Sequence, residues 1–191
     1  MTRPTATTGM KFAAILFALG GLAAPAAGEV QKFMHPCDGQ LCPSFELVFT
    51  PPAGWVEDKQ ASRQNKVQMY LPRGRTFGNA DALIYIRVSW NPDKQKLEDF
   101  IRVSQERWRA SVKDTRIEQL ASVKRDNGKP DFQSYRYQNP SRPQQEFEIV
   151  SFGEDFDKDG NSFFLMVALT GMDRKALEQA EALYRAALRA H

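Results

Sequence analysis

Ser162-Phe-Phe-Leu-Met-Val-Ala-Leu-Thr170 is apolar on both of the faces that a strand presents. Phe163, Leu165, Val167 and Leu169 point one way, and Phe164, Met166 and Ala168 point the other. A strand of this kind belongs in the middle of a sheet covered above and below. Directly after it, Asp173 is placed to cap a helix whose apolar positions are Ala176, Leu177, Ala180, Leu183, Tyr184, Ala187 and Leu188. Strand and helix together predict a sheet with at least one helical layer packed on it.

Upstream, three more strands are predicted over 116–125, 131–138 and 145–153. They are joined by Asn127-Gly128 and by Asn139-Pro-Ser-Arg-Pro143, and Asp157-Lys-Asp-Gly-Asn161 leads into the central strand. Short links of this composition favour an antiparallel meander. Further back, Leu97, Phe100, Ile101, Ser104 and Trp108 recur at helical spacing and predict a helix over 94–112, with Glu98, Arg102, Glu106 and Arg109 turned outward. Before it, strands are expected over 45–50, 66–71 and 82–90. In the last, Ala82, Ile84, Ile86, Val88 and Trp90 share one face. The expected architecture is α+β: an antiparallel sheet flanked by helices in an α/β/α sandwich.

The first residues read differently. Phe12 to Leu22 is a short apolar run behind Lys11, closed by Ala23-Ala-Pro-Ala-Ala-Gly28, the pattern of a secretory signal peptide. Both Met1 and Met10 are candidate starts, and cleavage fits after Ala26 or Gly28. Taking 1–28 as the leader leaves a single domain over 29–191, placed in the periplasm or secreted. Losing Arg3 and Lys11 takes Lys+Arg from 26 to 24 against 23 acids, a net charge of about +1. That balance, with no block of like charge, speaks against a nucleic-acid footprint. No later stretch has the length of a membrane span. In an oxidising compartment, Cys37 and Cys42, with Asp38-Gly39 between them, are expected to form a structural disulfide. With His35 they would still lack a fourth ligand for zinc.

The order of elements resembles the Mog1/PsbP-like fold. The likeness rests on Pro51-Pro-Ala-Gly-Trp55, on Met69-Tyr-Leu-Pro72 followed by the Ala82–Val88 strand, on the helix carrying Leu97-Glu-Asp-Phe100, and on the two-faced strand before a closing helix. The resemblance implies a non-catalytic accessory or binding domain. Its partner would be an envelope protein or a small ligand.

Candidate chemistry is sparse. Asp155, Asp157, Asp159 and Asn161 follow the front half of the D-x-D-x-D-G calcium loop. Position 12 is Met166 in place of the bidentate Glu, so any calcium site is expected to be weak and no other cofactor is expected. The two histidines, His35 and His191, stand near the two ends of the mature chain, and no catalytic residue is assigned. A carboxylate-based hydrolase is the remaining alternative, and it requires two acids facing each other in a cleft. Trp55, Trp90, Trp108, Tyr135, Tyr137, Phe147, Phe152 and Phe163 are read first as core and second as the lining of a ligand cleft.

Overall fold

The computed structural model describes residues 28–37 and 39–191, so the expected leader lies outside the described residues except for Gly28. The Ser162–Gly171 strand (β9) is central. The elements before it are β1 (Val30–Cys37), β2 (Gln40–Leu47), β3 (Trp55–Glu57), α1 (Lys59–Asn65), β4 (Gln68–Pro72), β5 (Ala82–Trp90), α2 (Leu97–Ser111), β6 (Arg116–Gln119), β7 (Gln133–Gln138) and β8 (Phe147–Phe156). α3 (Arg174–Arg189) follows it. Seven strands form one antiparallel sheet in the order β3-β4-β5-β9-β8-β7-β6. β9 pairs with β5 from Trp90↔Phe163 to Ala82↔Gly171, and with β8 from Phe156↔Ser162 to Phe147↔Gly171. The margins, β3 and β6, are only 3 and 4 residues long, which limits pairing with other chains.

The two faces of β9 sort into two cores. Phe163, Leu165, Val167 and Leu169 join Ile84, Ile86 and Ile149 beneath Leu177, Ala180, Tyr184 and Leu188 of α3. Phe164 and Ala168, with Val150 and Phe152 of β8, lie beneath Leu97 and Ile101 of α2. Leu165 and Leu169 keep no exposed surface, and each such side chain contributes about 1.5–3 kcal/mol of burial free energy. The Asp173 carboxylate accepts the Ala176 N–H at 2.7 Å and starts α3 as the sequence predicts. Tyr184 ties that helix down by donating its buried hydroxyl to the Val167 carbonyl at 2.8 Å.

Where β9 meets α3 the packing leaves no room for a side chain. A Cβ on Gly171 would stand 2.6 Å from Leu177 N and 2.8 Å from the Asp173 carbonyl, both backbone atoms of the first turn of α3. Gly171→Ala is therefore expected to lower stability by about 1–3 kcal/mol, seen as a lower urea midpoint at unchanged m-value. An unchanged midpoint would show that the turn can move.

Several elements differ from expectation. The chain after Gly28 forms a hairpin, β1 against β2, with Cys37 opposite Gln40. Cys37 and Cys42 are paired as a disulfide near its tip, with their Cα atoms 5.8 Å apart. The strand expected over 45–50 therefore starts and ends earlier. α1 was not expected; Asp58 caps it by accepting from Gln60 N and Ala61 N. α2 begins at Leu97 rather than 94, because Asn91 holds the preceding loop through both Gln95 N and the Gln95 carbonyl, and Lys94 takes a left-handed conformation at φ 49°. The strand expected over 116–125 stops at Gln119, leaving one bridge, Val123↔Phe132. Trp90 departs from the core reading with 52% of its surface exposed.

Candidate functional site

Helical cover on one face of the sheet is incomplete. α1 packs over β4 through Ala61, Met69 and Leu71. α2 packs over β8 and β9. Between them runs the outward row of β5, Leu83, Tyr85, Arg87 and Ser89, and along this row lie two adjoining clefts. One, of about 400 Å³, has Tyr85, Arg87 and Ser89 on its strand wall and Phe100, Ser104, Arg107 and Trp108 on its helix wall. Glu148, Val150 and Met166 line it from β8 and β9. The other, of about 550 Å³, continues past Leu83 and Thr170 toward Phe77, Arg142 and Met172.

The walls of the first cleft are held by aromatic contacts. Phe100 stacks on Phe164 with ring centroids 4.4 Å apart, and Trp108 meets Tyr137 edge-on at 6.3 Å. Asn139, which is fully buried, fastens helix to sheet. Its Oδ1 accepts from Trp108 Nε1 at 3.0 Å and from Thr115 Oγ1 at 2.8 Å, and its Nδ2 donates to the Gln145 carbonyl at 2.8 Å.

At the base of the cleft sits a buried carboxylate. Glu148 is 1% exposed, and it accepts from Thr170 Oγ1 at 2.8 Å, Tyr85 Oη at 3.3 Å and Asn139 Nδ2 at 3.5 Å. Burial raises its pKa to about 6, against the opposing pull of those hydrogen bonds and of the Arg142 charge. The Tyr85 phenol is pushed well above its ordinary range by burial and by the Glu148 charge beside it. No motif in the sequence marks Glu148 or its pairing with Tyr85. The available signal was the phase of β8, which puts Glu148 on the same inward face as Val150 and Phe152.

The four calcium-loop residues are not drawn together. Asp155 is 2% exposed and turns inward, its Oδ2 lying 3.2 Å from Arg125 and 2.7 Å from Lys129 Nζ. Asp157 closes the exposed β8–β9 turn: Oδ1 accepts the N–H groups of Asp159 and Asn161 at 2.9 Å each, and Oδ2 accepts from Asn161 Nδ2 at 2.7 Å. These bonds, the Asn161 side chain first, hold the Asp157 carboxyl below its ordinary pKa. The Asp159 carboxylate stays in solvent. Among the described residues, no three His, Cys, Asp or Glu side chains are grouped to hold a metal ion.

Acids do gather elsewhere. Glu98, Asp131 and Glu154 surround an open depression beside the start of α2, where Glu98 accepts from Gln133 and Glu154 from Ser162. The aromatic cleft contrasts with it, because Glu148 is its one carboxylate among the described residues. His191, the last residue, is fully buried, stacked on Phe49 at 4.6 Å and accepting the Thr50 N–H on Nε2 at 2.9 Å. Among the described residues, no helix is long and apolar enough to cross a membrane. No family model matches the chain, and no curated protein matches it.

Proposed function

We propose that this chain is an accessory domain of the cell envelope, periplasmic or secreted, that binds a small amphipathic ligand between α2 and β5 and performs no chemistry on it. The observation that carries this reading is the aromatic-walled cleft of about 400 Å³, a size and lining suited to a small organic molecule. Glu148 favours binding over catalysis. Its oxygens are already engaged by Thr170, Tyr85 and Asn139, which orient the carboxylate toward its own fold and not toward a substrate. The Cys37–Cys42 pair fits an oxidising compartment. The antiparallel sheet between α3 and α2 fits the Mog1/PsbP-like reading of the fold, which stands here as part of the proposal.

The test uses the neutral fluorophore N-phenyl-naphthylamine and a variant in which the cleft is filled, Ser104→Trp. Calorimetric titration is expected to show the probe binding the native chain and binding Ser104→Trp at least about tenfold more weakly, with the melting temperature little changed. Equal binding by both proteins, or no binding by either, would overturn the reading.

A further inference from the structure

The charges around the cleft are unevenly distributed. On α2, Asp99 and Glu106 lie on the solvent side, and both are taken by Arg102, at 3.3 and 3.2 Å. One turn on, Arg107 lines the cleft and forms no ion pair with any described residue. On the opposite wall Arg87 is exposed; Tyr85 and Ser89 flank it on β5, its cross-strand partner on β9 is Met166, and it forms no ion pair with any described residue. The one acid in the cleft, Glu148, is buried beneath it with its charge opposed by Arg142. Arg142 in turn lies over the Trp108 ring, 5.1 Å from its centroid, at the partition between the two clefts. The mouth is therefore cationic on both sides while the interior is aromatic.

We propose that the cleft selects anionic amphiphiles: an apolar ring or chain lies against Phe100, Trp108 and Met166, and its acidic head sits between Arg87 and Arg107. This rests on the ligand-binding reading above and adds the chemical class. Guanidinium groups suit the part because their planar forks match carboxylate, sulfate and phosphate oxygens two at a time. Ser89 and Ser104 line the same cleft and add hydroxyl donors. Beyond Tyr85, the adjoining cleft offers Leu83, Phe77 and Met172, the last two each 52% exposed, as a continuation for a longer apolar tail.

The experiment compares four probes by calorimetry at low salt, below any micelle concentration. They are decanoate (a chain acid), naphthoate (a ring acid), decanol (neutral) and decyltrimethylammonium (cationic). At least one acid is expected to bind about tenfold or more tighter than decanol, the weight of one well-placed charged pairing, and the cation more weakly than decanol. The double variant Arg87→Ala with Arg107→Ala is expected to weaken that acid about tenfold or more and decanol much less, so that the acid loses its advantage over decanol. An advantage that survives in the double variant would overturn the assignment of the acidic head to these two arginines. A preference for decanoate would point to acyl-chain acids as the natural source, and a preference for naphthoate to aromatic acids. Decanol or the cation binding as tightly as both acids would overturn the anion assignment while leaving the ligand reading intact. Binding of none of the four, together with no binding of the neutral fluorophore, would remove both.

Discussion

Asp155→Ala is expected to destabilise the protein by about 3–5 kcal/mol, the cost of leaving a buried charge without its partner. The carboxylate is 2% exposed and faces two cations, Arg125 at 3.2 Å and Lys129 at 2.7 Å, while Oδ1 accepts the Phe156 N–H at 2.8 Å. Arg125 keeps none of its side chain in solvent. Among the described residues, its partners apart from Asp155 are the Glu154 carbonyl, at 3.1 Å, and the Phe132 ring beneath it, 4.9 Å to the centroid. Burial already pulls the Arg125 pKa down, and the Asp155 charge opposes that pull. Lys129 also holds the start of the described chain, donating to the Gly28 carbonyl at 2.8 Å. Removing the carboxylate thus strands one guanidinium and loosens the contact between residues 28 and 129. Urea unfolding should show the loss as a lower midpoint. The double variant Asp155→Leu with Arg125→Met should recover most of it, because the buried charge goes together with its partner. A loss below about 1 kcal/mol for Asp155→Ala would mean that water reaches Arg125 and that the pair is not isolated from solvent.

Asp155 also shows where sequence reading stops. Its spacing with Asp157 and Asp159 is real, but spacing cannot say which way a side chain turns at the end of a strand. The residues that draw Asp155 inward are 30 and 26 positions away, in the turn before β7. The central strand was legible because both of its faces are apolar, so its environment is written within its own residues. The α3 cap and the β6-to-β9 meander were legible for the same reason: Asp173 and the turn residues act locally. The first hairpin was not, because Pro36 and Pro43 and the exposed Phe33, Met34 and Leu41 blur its alternation; only its Asp-Gly turn and its cysteines gave a signal. α1 buries one residue, Ala61, and so leaves no periodic trace.

The cleft was half legible. The outward row of β5 and the apolar stripe of α2 were both readable, Trp108 and Phe100 included. What the sequence withheld is that α2 crosses over β8 and β9 and leaves β5 uncovered. That depends on the loop held by Asn91 and on the Asn139 hub, both of which join residues far apart in the chain. Glu148 was hidden for a related reason: its three hydrogen-bond donors come from β5, β9 and the loop after β7.

Two buried titrating groups are expected to act on stability in opposite directions, so that the native protein is nearly insensitive to pH between about 4.5 and 6. His191 has its pKa lowered from 6.5 to about 4, first by burial, with Arg125 and Lys129 adding to the shift and the Thr50 hydrogen bond and Asp155 opposing it. Its neutral form is the folded one, since Nε2 must stay free to accept from Thr50. The stability it contributes is therefore present above pH 6.5 and is lost as pH falls toward 4, in total about 3 kcal/mol. Glu148 runs the other way. Its pKa rises from 4.5 to about 6, so its contribution is complete below pH 4.5 and is lost as pH climbs through 6, in total about 2 kcal/mol. Tyr85 and Tyr137 face Glu148, and burial raises both phenols far above this window; the Arg142 charge opposes the rise at Glu148. Where the windows overlap, the unfolded chain holds an extra proton at residue 191 and the folded chain holds one at residue 148, so the two slopes cancel. Glu148→Gln removes one side of the balance: relative to the native protein it should gain up to about 2 kcal/mol at pH 7.5 and nothing at pH 4, with stability now falling steadily on acidification. His191→Gln, which keeps an acceptor for Thr50 but cannot charge, should instead leave stability that declines as pH rises from 4.5 to 6. Urea melts of the three proteins at half-unit steps from pH 4 to 7.5 decide the matter. Parallel curves for all three would show that neither group is as dry as its packing implies, and the carboxylate beneath the cleft would then be open to water and to ligand alike.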